Sequence, residues 1–206
     1  MGLSLKSTSG KLLASAALVG AAASVAGLGT YGAFTSTTSA NTSVSSGTVT
    51  IGLGTSGTAT NRLSVAATGI VPGDTIQRAV TLTNSGSQNL SEVELTTVAT
   101  TSSKLDTDAT NGLQLVIDSC SVPWTEAGTA PAYTYTCSGT STSVLASQAV
   151  IGSNVDLASL ASVTAGRADN LRVTLTLPTT ADNTFQGISS TVSFSFTGTQ
   201  RSGTSQ

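Results

Sequence analysis

Histidine is absent from this chain. Its absence removes the usual general base, the usual proton shuttle and the commonest zinc ligand. Charge is scarce as well. Asp, Glu, Lys and Arg make up 9% of 206 residues and sum to −2. No basic stripe exists, so nucleic acid is not an expected partner. No His-Glu-x-x-His segment occurs, a zinc site of carboxylates alone is a poor one, and a serine nucleophile has no base to activate it. The residues therefore point to no catalytic site, no metal site and no cofactor. Ser, Thr, Gly and Val are plentiful. Low charge with many β-branched residues suits β-structure and a surface that tolerates copies of itself. Regular alternation of apolar and polar residues argues against disorder for most of the chain.

The N-terminus carries Lys6 and Lys11, an apolar run from Leu12 to Leu28, and then Gly29-Thr30-Tyr31-Gly32-Ala33-Phe34-Thr35. A positive start, a short apolar middle and small residues at the exit read as a helical secretory signal. The expected cut lies between Ala33 and Phe34, with a conventional alternative after Thr38-Ser39-Ala40. The predicted layout is a signal over 1–33, a flexible Ser/Thr/Asn-rich segment over 34–46, a β-domain over 47–200 and a polar tail over 201–206. The exported part is extracellular, meets a signal peptidase on the way out, and touches the membrane only through the uncut signal. Beyond the signal, six basic residues (Arg62, Arg78, Lys104, Arg167, Arg172, Arg201) face ten acidic ones. Cys120 and Cys137 stand 17 positions apart. In an oxidising compartment pairing is the default, worth roughly 3 kcal/mol for a loop of this size; two buried thiols are the alternative.

Period-two patterns recur along the body. Strands are expected at Thr48–Leu53, Leu63–Ala66, Thr75–Thr83, Ser91–Thr97, Leu113 to Cys120, Tyr133 to Cys137, Leu171–Leu177 and Val192–Phe196. Val71-Pro72-Gly73-Asp74 reads as a turn, and Asn84-Ser85-Gly86-Ser87 as a hairpin-type turn. Val144 to Leu160 reads as a helical turn or two, or as an irregular crossover. Pro178 stops the strand before it. About eight short strands without a long helix in the body predict an all-β antiparallel sandwich, jelly-roll-like, preceded by the signal helix.

In order along almost the whole chain, these features resemble the TasA/camelysin family of secreted bacterial matrix proteins. The residues that carry the resemblance are Gly29-Thr30-Tyr31-Gly32-Ala33-Phe34, Ser46-Gly47-Thr48-Val49, Val71-Pro72-Gly73-Asp74, Asn84-Ser85-Gly86, Leu177-Pro178 and Phe196-Thr197-Gly198-Thr199-Gln200. The resemblance implies processing by a SipW-type signal peptidase at Ala33 and Phe34. It also implies a jelly-roll subunit that polymerises with itself into biofilm matrix fibres, each copy donating an N-terminal strand to the next. The candidate donor is Phe34, Thr35, Ser36, Thr37, Thr38 and Val44. An uncharged, Thr-rich segment can extend a sheet edge through main-chain hydrogen bonds. The segment departs from the family pattern in having few large apolar groups after Phe34, only Val44 and Val49 nearby. Camelysin-type relatives are also described as metallopeptidases, which supplies a competing reading.

Three further motifs have plainer explanations beside their functional ones. Asp106-Thr107-Asp108-Ala109-Thr110-Asn111-Gly112 is faintly calcium-loop-like, but its third oxygen comes one position late and no distal Glu follows; a turn before the Leu113 strand accounts for it. Leu177-Pro178-Thr179-Thr180-Ala181 resembles a sortase signal without the apolar stretch that must follow one. Trp124, Tyr133 and Tyr135 suit either a glycan platform on a monomeric binding module or the packing of the cysteine loop on its own rings.

Overall fold

The chain divides into two units, Met1–Ala33 and Phe34–Gln206. The computed structural model describes residues 35–39, 45–46, 49–63 and 65–202. The signal segment, its expected cut at Ala33 and Phe34, the donor candidates Phe34 and Val44, and residues 203–206 lie outside the described residues.

The strands run in order β1 (Thr35–Ser39), β2 (Ser45–Ser46), β3 (Val49–Leu53), β4 (Val65–Ala67), β5 (Thr75–Asn84), β6 (Leu90–Thr101), β7 (Gln114–Cys120), β8 (Thr125–Ala127), β9 (Thr134–Thr136), β10 (Ser141–Ala149), β11 (Gly152–Asp156), β12 (Ala168–Thr176) and β13 (Ser190–Gln200). One sheet has the order β1-β13-β6-β11, with β4 also on β13; the other has the order β10-β7-β12-β5-β3-β2. Pairing is antiparallel throughout. The predicted all-β sandwich is the observed class.

Alternation sets the two inner faces. Val93 and Leu95 on β6, with Val192, Phe194 and Phe196 on β13, meet Leu82 on β5, Leu115 and Ile117 on β7, and Leu171, Val173 and Leu175 on β12. Glu92 on β6 stays exposed. Burying each large apolar side chain contributes roughly 1.5–3 kcal/mol, and none of those named is more than 2% exposed. The turn before β5 forms as its residues require. Gly73 has φ 97°, where a Cβ would be strained. The Asp74 N–H donates to the Val71 carbonyl at 3.0 Å, and the Val71 N–H to the Asp74 carboxylate at 2.9 Å.

Two expectations need correction. Asn84-Ser85-Gly86-Ser87 is not a hairpin turn. β5 and β6 belong to different sheets, so the segment arches across the sandwich. Asn84 is fully buried and holds the arch, its amide donating to the Gln88 carbonyl at 3.2 Å and accepting from the Gly86 N–H at 3.0 Å. Val144 to Leu160 is not helical; it is most of β10 followed by β11, and between them the chain crosses irregularly from one sheet to the other. Register shifts on both sides of Leu145 break the alternation, so that Val144 and Leu145 are both buried in succession. A bulge has this effect on a period-two pattern.

Candidate functional site

The outer edge of β13 is shared end to end by two short strands. β4 takes Ser190 to Val192. β1 takes the far end in five consecutive pairs, Thr35↔Thr199, Ser36↔Gly198, Thr37↔Thr197, Thr38↔Phe196 and Ser39↔Ser195, without a shift of register. The donor candidates Thr35, Ser36, Thr37 and Thr38 are thus brought together, on their own chain's β13. Gly198 is the close approach under this edge. A Cβ there would lie 3.0 Å from Leu90 Cδ1 and 3.1 Å from Ile51 Cγ2. The opposite edge of the same sheet is irregular. β11 meets β6 only at Thr97, Leu95 and Glu94, with a bulge between Gly152 and Val155 and Asn154 at φ 51°. Bulges blunt an edge against further pairing. The regular edge is therefore the one that carries the N-terminal strand.

A second cluster sits on the cysteine loop. Cys120 and Cys137 are bonded, with Cα atoms 5.7 Å apart. Between them β8 and β9 form a small hairpin that pairs Glu126 with Tyr135. The Glu126 carboxylate accepts from Arg62 Nη2 at 2.9 Å, Arg62 Nε at 3.1 Å and the Tyr135 hydroxyl at 2.8 Å. The Arg62 guanidinium holds the Glu126 carboxyl below its usual range, helped by Tyr135 and opposed by burial. Burial, then the neighbouring Glu126, pushes the Tyr135 phenol up to about 12. Trp124 lies over the Arg172 guanidinium at 4.5 Å and donates its indole N–H to the Asn170 carbonyl at 2.9 Å. Arg172 in turn pairs with Asp118 at 2.8 Å. The ring is half-buried and engaged by its own chain, which is the packing arrangement for these aromatics.

The acidic segment forms a capped turn. Ser103 caps a single helical turn, α1 (Lys104–Thr107), in a capping box with Asp106. The buried Asp106 carboxylate accepts from Ser190 Oγ at 2.5 Å, the Ser103 N–H at 2.7 Å and Ser102 Oγ at 2.7 Å. Burial pushes this carboxyl up, but those hydrogen bonds outweigh it and hold it below its usual range. Asp108 accepts from the Thr110 and Asn111 N–H groups.

A family model described as camelysin metallo-endopeptidase matches residues 4–205, which takes in the N-terminal apolar segment and the whole β-body. The chain belongs to the camelysin family. No curated protein matches it, and no solved structure does. The family description names a metal-dependent peptidase, and the donor set of this camelysin-family chain does not fit a zinc centre. It has no histidine, both cysteines are tied in the disulfide, and among the described residues no three Asp, Glu, Cys or His side chains come together. The loop carboxylates of Asp106 and Asp108 are engaged by their own backbone and hydroxyl donors. Among the described residues no helix is long and apolar enough to cross a membrane.

Sequence reasoning passed over the ion pairs in and around the cysteine loop. Arg62 and Glu126 are 64 positions apart, and Arg172 and Asp118 are 54 apart. The available signal was scarcity: where 9% of residues are charged, each half-buried charge needs a partner.

Proposed function

We propose that this protein is a secreted, non-enzymatic subunit of extracellular matrix fibres, joined copy to copy by exchange of β1. The observation that supports this most is the uninterrupted five-pair ladder between the N-terminal strand and the regular edge of β13. Main-chain pairing does not distinguish one copy's β1 from another's. If β1 leaves its own β13 and pairs in the same register with that of a second copy, every hydrogen bond is conserved. A link from one copy's terminus to another's edge is heterologous, so it grows a filament instead of closing a dimer. Export processing between Ala33 and Phe34 gives β1 the free end that such exchange requires. Membership of the camelysin family agrees with a secreted role of this kind.

The test is electron microscopy of the purified chain beginning at Phe34, beside a variant lacking 34–46. Fibres are expected from the first alone, with the melting temperature of the body nearly unchanged in the second. Folded monomers of the first under all conditions would refute the proposal. The family description favours one other reading, a secreted metallopeptidase. Digestion of casein by the pure protein, abolished by a chelator, would establish it.

A further inference from the structure

We propose that the pocket between the cysteine loop and the loop before β4 binds a carboxylate ligand about the size of one sugar unit, a uronate, with Arg78 as its anion partner. This site is separate from the β1 edge and does not depend on strand exchange. Its cavity of about 330 Å³ is lined by Ser56, Asn61, Arg62, Thr68, Arg78 and Tyr133, among others. That volume lies at the lower end of small-ligand pockets, which run from about 300 Å³.

Arg78 is only 6% exposed, yet among the described residues no carboxylate lies within ion-pair distance of it. Its Nη1 donates to the neighbouring Gln77 carbonyl at 2.7 Å, and its guanidinium lies 5.5 Å from the Tyr133 ring centre. Arg62 shares that ring at 4.7 Å but is paired with Glu126. Two cations and one anion leave a single positive charge in the pocket. A buried charge without a counter-charge is costly. Burial lowers the proton affinity of Arg78 most; Tyr135, Tyr133 and Glu126 act against it, and Arg62 acts with it. One bound carboxylate balances the excess; a dianion overshoots it. The planar guanidinium fork matches a carboxylate in two parallel hydrogen bonds. The side chains of Ser56, Thr68 and Asn61 line the rest of the cavity with groups suited to sugar hydroxyls.

The experiment is an NMR titration of the chain beginning at Phe34 with sodium glucuronate, acetate, glucose and phosphate, at low salt. Glucuronate is expected to saturate with a Kd on the order of 1 mM, shifting the Arg78 side-chain Nε–H and the Thr68 amide. Acetate should shift the same signals more weakly, and glucose should leave them still. Arg78→Met should weaken glucuronate by about tenfold or more. Thr68→Glu, at an exposed position, should do the same through an internal competing carboxylate, without lowering the melting temperature. The proposal is overturned if glucuronate fails to saturate at about ten times that concentration, if glucose binds as well, if phosphate binds more tightly, or if Thr68→Glu binds like the parent.

Discussion

Locking β1 to its own β13 tests strand exchange most directly. Thr37 and Thr197 are register partners; partners in antiparallel pairs lie roughly 4.5–5.5 Å apart at Cα, within disulfide reach. No free cysteine competes. Ordering the five residues of β1 costs roughly 5–10 kcal/mol of backbone entropy. About five main-chain hydrogen bonds return about 1 kcal/mol each. The ladder by itself at best offsets the cost of ordering the strand, so β1 opens readily. Where it pairs again is then a matter of concentration. Its own β13 presents an effective concentration on the order of 1 mM. At about 1 µM protein a neighbour is about a thousandfold less available, a handicap of about 4 kcal/mol per joint. Contacts between bodies must supply that much, so assembly should be nucleated, with a lag that seeds shorten. The variant T37C/T197C, oxidised, should remain monomeric even with seeds, followed by light scattering and electron microscopy. Reduction mild enough to spare the Cys120–Cys137 bond should restore fibres. The cross-link closes a loop of over 100 residues, so it should also stabilise the fold by up to about 5 kcal/mol. Equal assembly rates for the oxidised and reduced forms would refute exchange of β1.

Trp124→Ala should cost about 2 kcal/mol in denaturant unfolding, through lost contact with Arg172 and the lost bond to Asn170; an unchanged midpoint would show that the ring does not hold the loop. Asp106→Ala should cost about 1–2 kcal/mol, because the Ser103 N–H loses its cap and Ser190 its acceptor. The Asp106 carboxyl is held low in the fold, so its contribution is present above the unfolded value near 4 and is lost as pH falls through the folded one. Asp106→Asn should flatten the acid limb of a melting-temperature profile. Tyr135 should ionise near 12 in an ultraviolet titration. Its folded value is raised, so the stability it adds is present below the unfolded value near 10 and is lost as pH rises through the folded one; Glu126→Gln should move the titration back toward 10. Asn84→Ala should cost about 1–3 kcal/mol by removing both hydrogen bonds of the inter-sheet arch, measured by chemical unfolding.

The faces of the strands were legible because burial follows the pleat. Val93 and Leu95, Leu171 to Leu175, and Val192 to Phe196 point inward as their alternation requires. The Val71–Asp74 turn was legible because Pro and Gly restrict dihedrals locally. Val144–Leu160 was not, because two bulges put consecutive apolar residues in the core. The Asn84 arch was not, because the same Asn and Gly chemistry serves a hairpin and a crossing alike, and only the location of β6 distinguishes them.

Alternation and turn chemistry by themselves determined a two-layer β-body with its inner faces, since each of these acts within a few bonds or along one strand; the cross-link was expected from export, and the fold brings Cys120 to Cys137. The tertiary structure alone decided that β1 lies on β13, that Arg62 reaches Glu126, and that Arg78 is buried with no carboxylate among the described residues within ion-pair distance. A strand's sequence specifies which side is apolar but not which neighbour completes its ladder, because backbone N–H and C=O groups are the same in every residue that has them. Charges 54 or 64 positions apart carry no mark of their pairing until the sheets bring them together.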